Sequence, residues 1–333
     1  MKTAKRKTGE LENRETGKQA MNCSLVIRAF NEACHLPRLL EGVHQQTVRD
    51  VEIILVDSGS TDDTVTIAES YGAKIIHIAP ADFTFGRSLN LGIAAATREL
   101  VAIASAHVYP VYPDWLERLL EPFADSAIGL AYGKQRGMET SKYAEHQIFA
   151  RWFPDVSDLR QNHPFCNNAN AAIRRSLWEK HPYNESLTGL EDLAWGKWAL
   201  EQGHSLAYIA EAEIIHIHDE KPKGVLNRYR REAMAFKRIY PEAHFNIYDF
   251  MRMTASNIFN DSVHAAREEI LFRVFPEICW FRACQFWGTY QGYRQSAEWN
   301  WNLRQTFYYP RGLDAERSTK REVEPIRYDE RCH

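Results

Sequence analysis

Residues 51–64, VEIILVDSGSTDDT, constrain the fold more than any other stretch of this chain. Val51, Ile53, Ile54, Leu55 and Val56 form a run of β-branched and apolar residues. Such a run reads as a buried strand with helices on both faces, because a strand with one wet face would alternate. It stops at Asp57-Ser58-Gly59-Ser60, four small polar residues suited to a tight turn at the strand's carboxyl end. Ser60 or Thr61 can cap the helix that follows, with Asp62 and Asp63 in its first turn. Ligands of open α/β sheets bind at the carboxyl ends of strands. A carboxylate at that edge accepts hydrogen bonds, so Asp57 suits the N–H and hydroxyl donors of a nucleobase or ribose. The same residues also make an ordinary polar corner, and the turn alone does not choose between the two.

The flanking sequence repeats the pattern. Cys23–Phe30 reads as a first strand, with Asn31-Glu32 at its carboxyl end. A helix follows over His35–Gln46, with Leu36, Leu39, Leu40 and Val43 at helical spacing and Pro37 near its start. A second helix covers Asp63–Tyr71 and stops at Gly72, and Lys74–Ile78 is a third strand. This alternation implies a parallel sheet with right-handed crossovers. Phe83–Gly92 leads into a helix over Ser88–Ala96, with Arg87 at its entrance, where a phosphate can be held. Leu100–Ser105 is a fourth strand and puts His107 on the same sheet edge as Asp57.

Further along, Ile128–Tyr132 is a strand, residues 140–162 are helix and loop, and Phe165–Arg175 is a strand entered through three Asn. Those amides suit sugar hydroxyls or hold a loop together. Glu191 and Asp192 follow Gly189 at a helix start. They either complement the helix dipole or supply a general base, since adjacent acids raise one another's pKa. Leu206–Ile209 and Glu213–Ile217 read as two short strands. Alternation places His216 and His218 on one face, a spacing compatible with joint metal ligation or with one packed and one surface histidine. Helices then cover 226–239, 246–265, 267–275 and 278–307. Trp280, Phe281, Phe286, Trp287, Tyr290 and Tyr293 form an aromatic face for helix packing, a homodimer or shallow contact with a membrane surface.

Composition excludes several classes. A net charge of −3 leaves no nucleic-acid footprint. The six Cys are scattered with no CxxC pair, and no secretory leader is visible, so reduced thiols in the cytoplasm are expected. No apolar run is long enough to cross a bilayer. Residues 1–20 read as a disordered tail and 311–333 as a charged, frayed one.

Four pieces in order carry a resemblance to the family 2 glycosyltransferases, inverting nucleotide-sugar enzymes of the GT-A fold. They are SLVIRAFNEACHLPRLLEGVHQQT, VEIILVDSGSTDDT, FGRSLNLGIAAAT and GLEDLAWGKWALEQG. The resemblance covers about Cys23–Glu220. It implies an α/β fold: a Rossmann-like, mostly parallel sheet flanked by helices, with a C-terminal helical extension. The catalytic domain would span 21–220, with a nucleotide-binding half over about 21–115 and an acceptor half over about 116–220, followed by a helical region over 221–310.

By the same resemblance Phe30, Glu32 and Asp57 line the nucleotide pocket, with Asp57 at the base, and Arg87 approaches the nucleotide. Asp192, beside Glu191, matches the catalytic base that deprotonates the acceptor hydroxyl. The family's DxD metal motif falls at Ser105-Ala106-His107, where both Asp are missing. Ser105 then joins the donor-binding set. Three explanations compete. His107 with His216 or His218 ligates the ion, a nitrogen-rich site that suits Mn²⁺ or a later transition ion better than Mg²⁺. Or no metal is used and Arg or His⁺ neutralises the leaving group. Or the donor is a nucleoside monophosphate sugar. The first is favoured, because the family often places a His near this second position. The expected donor is a UDP- or dTDP-sugar and the acceptor a saccharide or glycolipid. The setting is surface polysaccharide synthesis, in the cytoplasm or peripherally at the inner face of the membrane. The competing expectation is a non-catalytic nucleotide-sugar-binding or scaffold protein that has lost its DxD motif.

Overall fold

The structure is a computed structural model and describes residues 21–218, 220–294 and 321–328. The first half runs β1 (Asn22–Ala29), α1 (Leu36–His44), β2 (Asp50–Asp57), α2 (Thr64–Ser70), β3 (Lys74–His77), α3 (Phe85–Ala94), β4 (Leu100–Ser105), β5 (Val108–Pro110) and α4 (Trp115–Leu120). The second half runs β6 (Ile128–Arg136), α5 (Tyr143–Trp152), β7 (Asp158–Gln161), β8 (Asn170–Arg174), α6 (Arg175–Trp178), α7 (Glu191–Glu201) and β9 (Ser205–His216). Three long helices complete it: α8 (Pro222–Ile239), α9 (Ile247–Arg267) and α10 (Leu271–Arg294).

All strands join one sheet of order β3-β2-β1-β4-β8-β6-β9-β5, with β7 added on β9. The first four pair in parallel, as their alternation with helices predicts. Beyond β4 the sheet is mixed. β8 lies antiparallel between β4 and β6, β6 and β9 are parallel, and β5 and β7 pair antiparallel with β9. Register aligns the strand ends: Ala29 is level with Asp57 and Arg28 with Ser105, so the carboxyl ends of β1, β2 and β4 form one edge. Helix α3 packs tightly on the far face of that half. A Cβ at Gly92 would stand 2.4 Å from Val26 Cγ1 and 3.0 Å from Val56 Cγ2, a closeness that only glycine allows.

Several expectations shift. α3 begins at Phe85 rather than Ser88, because Thr84 caps it by accepting from the Arg87 N–H at 3.0 Å. Ser60 and Thr61 do not cap α2, whose N-cap is Asp63. The two short strands around Glu211 are one strand, β9. Glu211 is exposed, which breaks the apolar pattern, and the strand continues through a register shift against β6 between Ile209 and Ile214. The helices expected over 267–275 and 278–307 are one helix to the end of the described residues, with Pro276 inside it.

The C-terminal helices share the sheet's core. Ala233, Phe236, Phe245, Met253, Phe286 and Tyr293 belong to the same buried cluster as Val26, Ile54 and Leu130. Most of the aromatic face on α10 is thus spent on packing within the chain. A buried ion pair pins the layer. Arg282 donates to both carboxylate oxygens of Asp261 on α9 (2.7 and 3.1 Å) and to the Ala144 carbonyl on α5 (3.2 Å).

The expected frayed tail over 311–333 does not hold for residues 321–328. The Ile326 N–H donates to the Val111 carbonyl at 2.9 Å, and the Tyr328 hydroxyl donates to the Pro110 carbonyl. Arg321 reaches Asp114 at 2.6 Å and stacks on Tyr112 with 4.0 Å to the ring centroid. The segment straps the outer side of β5. The tail expected over 1–20 and residues 295–320 and 329–333 lie outside the described residues.

Candidate active site

The loop after β1 and the turn after β2 are stitched together at the sheet edge. Asn31, at φ 55°, donates its N–H to Ser60 Oγ (2.9 Å), and its Oδ1 accepts from the Thr61 N–H (2.8 Å). The Glu32 N–H donates to Thr64 Oγ1 at 2.8 Å. Ser60 and Thr61 therefore serve the loop rather than the helix. Asp57 is buried in the turn and accepts from the Gly59 and Ser60 N–H groups, with His77 Nδ1 at 3.3 Å. Burial pushes its carboxyl up, and hydrogen bonds from Ser60, Gly59 and His77 outweigh that, holding it below the usual carboxylate range.

Beside this edge lies a cavity of about 530 Å³, bounded by the ends of β1 and β4, the start of α7 and one face of α8. Glu191 and Asp192 open α7 and line it. They are aimed there by Leu190, which takes the left-handed conformation (φ 55°, ψ 28°), a cost that an L-residue bears where a site needs the turn. Glu191 is fixed by Arg28 at 3.1 Å. Asp192 accepts the Asn168 N–H on one oxygen (3.0 Å) and the Leu193 N–H on the other (2.8 Å). Burial, then the neighbouring Glu191 charge, raise its carboxyl to about 7, against the lowering pull of those N–H groups and Arg28. An acid poised there can exchange a proton at neutral pH.

Across the same cavity stand three histidines. His107 comes after β4, His216 ends β9 and His218 lies two residues beyond. They offer ligand nitrogens that all lie within 4.8 Å of one another. Each ring is held through Nδ1 by a different element. Glu32 Oε1 holds His107 at 2.7 Å, Gln135 Oε1 on β6 holds His216 at 2.8 Å, and Glu145 Oε1 on α5 holds His218 at 2.7 Å. The β5–β9 ladder sets the spacing, since Val108 pairs with His216 and the Ile217 N–H donates to the His107 carbonyl. Burial, with the nearby His218 ring second, holds His216 well below the usual histidine range. Burial, then Arg228, do the same for His218. Neutral imidazoles carry the lone pair that a metal needs.

The structure thus brings Glu32, Ser105, His107, Glu191, Asp192, His216 and His218 to one cavity. Three expected residues do not line it. Phe30 is an exposed ring past the end of β1 and Asp57 stays in its turn. Arg87 lies at the surface in the first turn of α3, 3.9 Å from Glu185. Of the three Asn, Asn170 is structural, bonded to Trp115 and the Ala212 carbonyl. Asn168 positions Asp192, and Asn167 faces the cavity.

Sequence reasoning missed Arg28, Glu145, Arg228 and Arg231, all of which line the site. Arg28 carried a signal: a cation within the apolar run CSLVIRAF needs a buried partner. Glu145 and Arg228 carried none, since Glu145 lies more than 70 residues from both His218 and Arg228 in the sequence.

A half-parallel sheet with an acid-bearing helix start at its carboxyl edge is the architecture of the GT-A glycosyltransferases. The chain is similar to the mannosyltransferase PcManGT from Pyrobaculum calidifontis, solved with GDP-Man and Mn²⁺. The TM-score is 0.53 at 16% identity, over 81% of this chain and 84% of that one. It is also similar to residues 1–349 of S. aureus TarS in complex with UDP, with a TM-score of 0.51 at 15% identity over 83% and 92%. At such identities the likeness shows the fold. Residues 24–181, just under half of the chain, match the model of glycosyl transferase family 2, and the chain is similar to that family over this segment. The match ends before Glu191, Asp192, His216 and His218. Among curated relatives, the O-antigen chain rhamnosyltransferase RfbN of Salmonella typhimurium is 27% identical over 63% of this chain and 70% of its own length. WbaN of Salmonella anatum, of the same description, is 29% identical over 56% and 62%, and the putative glycosyltransferase EpsH of Bacillus subtilis 32% over 59% and 53%. The matched region therefore spans between about half and 70% of these relatives.

Proposed function

We propose that the chain transfers a sugar, with inversion, from a nucleotide-sugar donor to a hydroxyl of a saccharide or glycolipid acceptor in surface polysaccharide synthesis. The observation that carries this reading is Asp192: a carboxyl raised to about 7, at the start of α7, in the same cavity as the histidine cluster. In the reaction the acceptor oxygen bonds to the anomeric carbon while the bond from that carbon to the diphosphate oxygen breaks. Asp192 takes the acceptor's proton. The Asn168 and Leu193 N–H groups fix the plane of its carboxylate, and Arg28 holds Glu191 out of the proton's path. Arg231, on α8 and over the Phe85 ring at 4.7 Å, offers a cation to the donor's phosphates at the cavity rim. Asp57 serves the base or ribose at the adjoining edge. His107, His216 and His218 would hold a divalent ion, which when bound supplies positive charge for a departing diphosphate.

The relatives' names favour a rhamnosyl donor, in keeping with a dTDP- or UDP-linked sugar. Among the described residues no helix is long and apolar enough to cross a membrane. We place the enzyme in the cytoplasm, with contact to a membrane surface or a twin subunit through exposed Phe259 and Phe272 on α9 and α10. The test is release of nucleoside diphosphate from dTDP-rhamnose, UDP-sugars and GDP-mannose with a saccharide acceptor present. Acceptor-dependent release that Asp192→Asn abolishes is expected. Donor binding without any turnover would instead favour the non-catalytic reading, which rests on the missing DxD aspartates.

A further inference from the structure

We infer that His107, His216 and His218 form a centre for a later first-row transition ion, of the class Fe²⁺, Co²⁺, Ni²⁺ or Zn²⁺, that discriminates against Mg²⁺. This deepens the functional reading by naming the ion the site takes, and it rests on that reading only for the ion's use, not for its binding.

The donor set comes first. All three ligands are imidazoles, so the cluster offers nitrogen and no carboxylate oxygen. The nearest acids, Glu32 and Glu145, are each committed to a histidine Nδ1 at 2.7 Å. Mg²⁺ demands oxygen donors and keeps its water, whereas imidazole suits Zn, Fe and Ni, and affinity rises along the series from Mn²⁺.

The outer shell is the second observation. Three side chains from three separate elements each hold one ring through Nδ1. An Nδ1–H donated to a carboxylate leaves the lone pair on Nε2 and raises its basicity, the arrangement that metal-binding histidines use. Third, His216 is 6% exposed and its Nε2 is buried without a hydrogen-bond partner. An unpaired buried acceptor is costly, and an ion bound there removes the cost.

Charge agrees. Arg228 is the adverse neighbour, with Nη1 3.2 Å from His218 Nδ1, but it is paired with Glu145 at 2.9 Å and Glu220 at 2.8 Å. Two acids, Glu145 and Glu220, face that guanidinium and a third, Glu32, stands on His107, so a dication enters a net negative shell. An ion equidistant from three atoms up to 4.8 Å apart sits about 2.8 Å from each. The rings therefore close by under about 1 Å to reach bonds of about 2.0–2.1 Å. Three protein ligands leave further positions open toward the cavity, as in catalytic zinc sites.

The experiment is direct ion binding to the full chain, stripped with chelator and containing no donor or acceptor. Calorimetry with Zn²⁺, Co²⁺, Mn²⁺ and Mg²⁺ is paired with the visible absorption of Co²⁺. Zn²⁺ and Co²⁺ are expected to bind at least about 100-fold more tightly than Mg²⁺, with ligand-field bands that His107→Ala removes. Glu32→Gln, which keeps the fold and weakens the outer shell, is expected to cost about 10- to 100-fold in affinity. Equal or tighter Mg²⁺ binding, or a Co²⁺ spectrum unchanged in both His107→Ala and His218→Ala, would overturn the assignment. Neither outcome depends on turnover, so a chain that binds Co²⁺ through these rings yet transfers no sugar refutes the functional reading alone.

Discussion

Replacing Glu191 with Gln separates a catalytic Asp192 from a structural one. In the native site burial raises Asp192 first and the Glu191 charge second, to about 7. The base works only when ionised, so transfer should fall as pH drops below 7. At pH 6 about one site in eleven is competent, a loss of about 1.4 kcal/mol. Glu191→Gln removes the like charge. It also frees Arg28, now 3.1 Å from Glu191, whose pull on Asp192 is already downward. Both changes lower Asp192, so the acid limb of the profile should move down by about one pH unit. At pH 6 the variant should then run at about half its own plateau. The assay is kcat/KM for nucleotide release from about pH 5.5 to 8.5 at constant ionic strength, alongside Asp192→Asn, which should lose about 10²- to 10⁴-fold at the plateau. A limb that stays at 7 or moves up refutes the pairing of these carboxyls, and activity kept by Asp192→Asn refutes the base. Stability carries the matching sign. The folded value of Asp192 lies above its unfolded value of about 3.9, so the native state binds more protons between about pH 4 and 7. Stability from this group is therefore fullest below about pH 4 and falls as pH rises toward 7, and Asp192→Asn should flatten that part of the melting profile.

Three further outcomes are expected. Arg28→Ala strands the buried Glu191 charge and should cost about 3 kcal/mol in chemical denaturation. Adding Glu191→Gln should return most of it, and an additive double variant would contradict the pair. Gly133→Ala drives a Cβ to 2.1 Å from the Ala212 carbonyl and 2.4 Å from Asn170 Nδ2, at the register shift of β6 on β9. A loss of about 3 kcal/mol is expected, and a neutral result would mean the strands sit further apart. Arg321→Ala removes the Asp114 pair and the Tyr112 stack and should cost about 1–2 kcal/mol in a urea melt. An unchanged midpoint would show that the strap does not hold β5.

How far the sequence reached depended on whether a residue's partner was local. The parallel half was legible because each strand–helix alternation is written within about 30 residues, and apolar runs such as LVIRAF and VEIILV have one reading. Asp192 was legible for the same reason, as an acid at a helix start. The strands β5 and β7 were not, because three- and four-residue strands exist only by pairing with β9, about 50 to 105 residues later. Arg87 was read at the entrance of its helix, whereas α3 starts three residues earlier and Arg87 stands beside Glu185. The pair His216 and His218 was visible as a spacing. What orients those rings was not: Glu32, on the loop after β1, was read as a nucleotide-pocket residue, and Gln135 on β6 and Glu145 on α5 carry no local mark.

That outer shell also bears on the role of the C-terminal helices. In the sequence they stand as an appendage that starts where the catalytic motifs end. Arg228 on α8, however, grips the Glu145 that holds His218, and Arg282 on α10 anchors α5, which carries Glu145, through the Ala144 carbonyl. On the opposite side the strap at 321–328 backs β5, whose ladder with β9 spaces His107 from His216. The histidines are therefore braced from both ends of the C-terminal region, while Asp57 and Asp192 are held by bonds within the α/β domain. Loosening the helices or the strap should disturb the histidine cluster before it disturbs Asp192. A chain cut at 220 would lose Arg228 and the packing that fixes Glu145, together with the apolar side chains that α8, α9 and α10 give the sheet's core. The helical region is thus part of the histidine cluster's construction, and the ion proposed there would depend on it.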